Sequence, residues 1–245
     1  MTCRGDLAHH LVVCKDRRES PGFITVSIAL ERFEVVRSAS ACTFATGSRL
    51  RGLTGWDPDA TIEENVGRYL PTVETLCSPV EGALLDGIVM EAPGALGRSV
   101  EDLAEFVGRV VRAIVANDSA EARCLDEPIE RPGWWLTFGG VELFVLTFAP
   151  CYPQTHSRWS GGTDSVFLLI QPRSAFARRR RPGRRSLGHR VRRSIRRRFA
   201  QQGMDYDVGL AESSIEAHQF VKPIAIGDPP VRWWEPGRDR SEATA

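Results

Sequence analysis

From Pro150 to Arg158 the chain reads Pro-Cys-Tyr-Pro-Gln-Thr-His-Ser-Arg, which gathers a thiol, a phenol, an imidazole, a hydroxyl and a guanidinium in nine residues. His156 offers a neutral imidazole that can ligate a metal, and Cys151 offers a rival thiolate. Arg158 offers a planar fork that grips a carboxylate through two parallel hydrogen bonds. Tyr152 and Ser157 can orient a substrate by hydrogen bonding. Each has a plainer alternative. His156 would then only hydrogen-bond its neighbours, and Cys151 would be a small buried residue. Tyr152, set between Pro150 and Pro153, would pack a turn.

Such a loop serves chemistry only if rigid elements hold it. Trp134-Trp135-Leu136-Thr137-Phe138-Gly139-Gly140 and the apolar run Val141 to Ala149 precede it. The apolar run Val166 to Ile170 follows, closing on Gln171-Pro172-Arg173. Two apolar runs joined by a polar, glycine-containing connection predict antiparallel neighbours in one sheet. Pro172 stops ladder pairing, so Arg173 can face a cleft; a structural salt bridge is the alternative. The aromatic residues Trp134, Trp135, Phe138, Phe144 and Phe148 suit either a plain core or a flat ligand.

Upstream, Phe23 to Leu30 reads as a strand or a short helix. Ala39 to Leu50 looks like the start of a helix, with Cys42 on it. Thr61 to Leu70 reads as a helix with Ile62, Val66, Tyr69 and Leu70 on one face. Leu84 to Met90 reads as a strand, broken by Ala92-Pro93-Gly94. Ser99-Val100-Glu101-Asp102 is a helix-start signal, and Leu103, Val107, Val110, Val111 and Ile114 follow at helical spacing. Downstream, Arg178 to Arg198 is arginine-dense. His189 to Phe199 spaces Val191, Ile195 and Phe199 four apart, as in an amphipathic helix with a basic face. The predicted architecture is a mixed α/β fold, a largely antiparallel central sheet packed with helices in a single domain. Residues 1–22 read as a polar N-terminal arm, 23–228 as the domain, and 229–245 as a flexible C-terminal tail.

Composition narrows the function classes. A chain of 245 residues with a net charge of +1 can bury a substantial core and carries no overall charge that would draw it to nucleic acid or a membrane surface. The arginine run is a solvated basic face or a phosphate-binding patch; without a nucleic-acid motif beside it, the solvated face is preferred. Lysine occurs only at Lys15 and Lys222. The six cysteines show no Cys-x-x-Cys spacing, which argues against a zinc ribbon or redox dithiol. No secretory signal and no run of about 18 apolar residues is evident, so the expected location is the cytoplasm, with free thiols and no membrane partner.

The central stretch resembles the YqcI/YcgG family. The resemblance rests on Phe138-Gly139-Gly140, Pro150, Tyr152-Pro153, His156-Ser157-Arg158, Gln171-Pro172-Arg173 and Phe176. Weaker matches are Ala41-Cys42-Thr43-Phe44-Ala45 and Glu216-Ala217-His218-Gln219-Phe220. The family's glycine-rich segment is degenerate here, reduced to Val208-Gly209-Leu210. Members with an assigned role are haem-dependent N-oxygenases that hydroxylate a guanidine nitrogen of arginine or a related compound.

The resemblance implies a haem-dependent monooxygenase acting on a nitrogen of a guanidino or amino compound, in specialised metabolism. Haem iron and O2 would be its cofactors, with electrons from an external donor or redox partner, since no Gly-x-Gly-x-x-Gly loop is present. His156 would be the axial ligand, with Cys42 and Cys151 as alternatives. Arg158 and Arg173 would hold the haem propionates. Glu216 and Asp207 are the carboxylates offered to a cationic small-molecule substrate. Tyr152 and Ser157 are the groups offered to substrate or oxygen. The rival readings are a non-enzymatic haem-binding protein of the same fold and a cofactor-free basic interaction module.

Overall fold

The computed structural model describes residues 27–42, 45, 47–53, 55–120, 123–178 and 189–235, with backbone alone at 176–178 and 189–192. The expected N-terminal arm, the tail beyond 235, and the side chains of Thr43, Phe44, Phe176 and Val191 lie outside the described residues. Five strands form one sheet: β1 (Leu50–Gly52), β2 (Gly87–Pro93), β3 (Leu136–Phe138), β4 (Val141–Phe148) and β5 (Ser165–Pro172). Their order is β1-β2-β5-β4-β3; β1 and β2 are parallel and every other pair is antiparallel. The fold is thus α/β with a mixed, largely antiparallel sheet in a single domain. The predicted pairing of β4 with β5 is present, with Val145 opposite Ile170 and Phe148 opposite Phe167.

All eight residues of β5 are buried, because it lies mid-sheet and both its faces are covered. On one face Val166, Leu168 and Ile170 join Ile88, Met90, Leu143 and Val145. This layer packs against α2 (Ile62–Cys77) and α3 (Val100–Ala116). On the other face Phe167, Leu169 and Val89 meet Phe33 and Val36 of α1 (Ile28–Ala39). The remaining helices are α4 (Arg173–Arg178), α5 (His189–Gln201) and α6 (Val208–Glu212). Ile195 and Phe199 of α5 are buried beside Ala41. No helix among the described residues is long and apolar enough to cross a membrane.

The helix starts follow their capping chemistry. The Thr61 hydroxyl accepts from the Glu64 amide at 3.1 Å while the Glu64 carboxylate accepts from the Thr61 amide at 2.7 Å. The Ser99 hydroxyl accepts from the Asp102 amide at 3.0 Å. Three sequence expectations are corrected. First, α2 continues past Leu70 through Pro71, because Val73 and Leu76 extend its buried stripe and their burial outweighs a lost backbone hydrogen bond. Second, Cys42 is not on a helix. α1 ends at Ala39 with Ser40 extended, and the chain runs on to β1 at Leu50. Third, the segment 229–235 is not a loose tail. Trp233 is 1% exposed, stacks on Phe220 at 5.0 Å and donates its indole N–H to the Ala217 carbonyl at 2.8 Å, a burial that its proline-rich neighbours concealed.

The β3–β4 hairpin turns on Gly139 and Gly140, whose φ values of 56° and 73° favour glycine. Buried Asp118, just past α3, holds this turn. Its carboxylate accepts from the Gly139 amide at 3.0 and 3.1 Å and from the Ala120 amide at 2.9 Å. Replacing Asp118 by Ala leaves these donors without their partner. Asp118→Ala should lower the unfolding free energy by about 1–3 kcal/mol in urea titration, with the m-value unchanged.

Candidate functional site

The α1 side of the sheet is not filled by the side chains of the described residues. A cavity of about 300 Å³ lies there, bounded by Phe144, Leu146 and Phe148 of β4, Leu169 and Gln171 of β5, Phe33 and Val36 of α1, and Ile195 and Phe199 of α5. The alternation of β4 explains the wall. Leu143 and Val145 point into the α2–α3 core, so Phe144, Leu146 and Phe148 point the other way. Cys42, Ser157, Arg158 and Lys222 also line it.

The loop after β4 folds back on its own start. The Ala149 amide donates to the Arg158 carbonyl at 3.2 Å, and the Cys151 amide donates to the Gly97 carbonyl at 3.0 Å. The Tyr152 hydroxyl donates to the Lys222 carbonyl at 2.8 Å and accepts from the Lys222 amide at 3.1 Å. The rings of Tyr152 and His156 stack at 4.2 Å. The Arg158 amide donates to His156 Nδ1 at 3.2 Å, so the ring is neutral with its proton on Nε2. Burial, then the charges of Arg158 and Lys222, push the imidazole down to about 4.

The arginine at the end of this loop is 5% exposed. Its Nη2 donates to the Gln219 carbonyl at 2.9 Å, and its guanidinium carbon lies 5.6 Å from the centre of the Phe148 ring. Its Nη1 is buried without a hydrogen-bond partner among the described residues. Burial draws its pKa down to about 10, which leaves it charged at neutral pH. Lys222, 8% exposed, is drawn down to about 7, first by burial and then by Arg158. Glu216 is pushed up to about 7 by burial, against the opposing pull of Arg173 and Arg158, and its Oε1 is buried without a partner.

The residues singled out by sequence therefore divide. Cys42, Ser157 and Arg158 meet at the cavity wall. His156 and Asp207 border instead a separate crevice of about 10 Å³, which Ser157 and Lys222 also reach. Asp207 caps α6, accepting from the Leu210 amide at 2.8 Å. Cys151 packs against the core on the α2–α3 face, where burial pushes its thiol up to about 12. Arg173 is exposed, paired with Glu142 at 2.6 Å and 4.5 Å from the Trp135 ring centre. Tyr152 and Glu216 stand behind the wall rather than on it.

Lys222 is the cavity residue that sequence reasoning passed over. The available signal was its rarity, one of two lysines among 32 basic residues. Phe33 and Phe199 were not assigned to a site either, since only the placement of α1 and α5 around the cavity brings them there. No family model, curated protein or solved structure matches the chain.

The depressed imidazole sets a pH dependence. A base whose folded pKa is lowered resists protonation in the folded state only, so it costs stability as pH falls below the unfolded value of about 6.5 toward 4. His156→Phe removes this loss. The variant's stability relative to wild type should rise steadily between pH 6.5 and 4, as measured by urea unfolding at a series of pH values.

Proposed function

We propose that the protein binds a small organic molecule in the cavity under α1 and α5. The observation that supports this is the convergence of an aromatic wall with Cys42, Ser157, Arg158 and Lys222 on about 300 Å³ of space, at the lower end of the range for ligand pockets. A region serving only stability would be filled at core density. It would also not keep an unpaired guanidinium nitrogen at its edge.

The family resemblance adds a second reading of the same cavity, haem-dependent hydroxylation of a nitrogen in a guanidino or amino compound. What favours it is Cys42, one of the three side chains offered as iron ligand and the one that lines the cavity. The donor set is compatible with haem: a thiol for the iron, Arg158 and Lys222 for the propionates, and Phe33, Phe144 and Phe148 against the macrocycle. Haem bound there would supply O2 activation, using electrons from an external donor. The chain's own residues would hold the group, exclude water through the aromatic wall, and present the Ser157 hydroxyl as a hydrogen-bonding group. A macrocycle needs more room than this cavity has, so its entry would require the cavity to widen.

One spectrum separates the readings. Protein purified after haem supplementation should show a Soret band if the second holds. Cys42→Ser should then weaken or shift that band, while His156→Ala should leave it in place. Absence of haem from every preparation removes the oxygenase reading and leaves the small-molecule site.

A further inference from the structure

Three cationic side chains reach the cavity: Arg37 is paired with Glu34 at 2.9 Å, while no carboxylate among the described residues pairs with Arg158 or Lys222. Arg158 spends Nη2 on the Gln219 carbonyl, while Nη1 is buried and unpartnered. Lys222 is held by its backbone, whose amide and carbonyl both bond the Tyr152 hydroxyl. Its ammonium has no hydrogen bond or ion pair among the described residues. The nearby acids are otherwise placed. Asp86 also lines the cavity but is paired with Arg49 at 3.4 Å, and Asp207 caps α6. Glu216 is close enough to feel Arg158 yet makes no ion pair with it, and it is not part of the cavity wall.

Two like charges removed from water beside aromatic rings repel each other and lose hydration. A bound anion relieves both penalties. Arginine supplies directed donors for a carboxylate, and lysine supplies a compact point charge beside it. The geometry points to a carboxylate site: the cavity takes an organic acid, its apolar body against Phe33, Phe144, Phe148 and Phe199 and its carboxylate on Arg158 Nη1 and Lys222 Nζ. This rests on the cavity being a ligand site. A free organic acid and a haem propionate present the same chemistry from two sources.

The test is calorimetric titration of the full chain with octanoate and 3-phenylpropanoate, each beside its matched alcohol, and with haem beside its propionate dimethyl ester. The expected result is tenfold or tighter binding of acid over alcohol, with the preference lost in Arg158→Met and in Lys222→Met. If haem binds and the small acids do not, esterification should weaken haem by tenfold or more, the same two variants should match that loss, and the carboxylate then belongs to the cofactor. Thermal melts guard against misfolding. Lys222→Met keeps the backbone clasp and removes a buried charge, so without ligand it should melt above wild type; a merely structural lysine would melt below it. Equal binding of acids and alcohols overturns the carboxylate site while leaving the cavity as a ligand site. Failure of every probe to bind overturns both.

Discussion

The constraint on which the rest depends is the full burial of β5. A strand with eight buried residues in mid-sheet needs a layer on each face, since water on either would strand apolar surface. On the α2–α3 side the layer is continuous, with two long helices laid over Val166, Leu168 and Ile170. On the other side it is assembled from pieces. α1 covers β2 and β5 through Phe33 and Val36, and α5 adds Ile195 and Phe199 among its described side chains. The cavity is the space that the described residues of this second layer border without filling.

Stability and site pull in opposite directions there. Arg158, Lys222 and Glu216 each carry a charge that burial disfavours. An apolar substitute at any of them would suit a purely structural core better. Their gathering in one corner is what the proposed ligand site would account for. His156 belongs to a different economy. Its ring is stacked, hydrogen-bonded and neutral, so it braces the loop that delivers Arg158 to the wall.

Much of the frame was legible because local signals agreed with tertiary packing. The paired strands and the capped start of α3 combined periodicity with a boundary signal, while α2 and α5 were read from apolar spacing alone. What was illegible depended on distant partners. Helix-like composition around Cys42 conceals the end of α1 at Ala39 and a non-helical Cys42. Trp233 sits in a stretch whose prolines and charges suggest a tail, and only Phe220 and Ala217 show why it folds back. The loop was recognisable as a site, but not which way each side chain points. Arg158 lines the cavity and His156 the crevice, while Ser157 borders both.

The clasp between Tyr152 and Lys222 has a consequence for how such a pocket can change over time. Position 222 is anchored through main-chain atoms, so the loop course does not depend on what its side chain is. A single codon change there alters the charge presented to the cavity while the scaffold stays put. Arg158 has less freedom, because its own side chain bonds a carbonyl sixty-one residues away. Of these two cations, Lys222 is tied to the fold through its backbone and Arg158 through its side chain, so a change at 222 resets the charge at the cavity wall with the least disturbance of the loop.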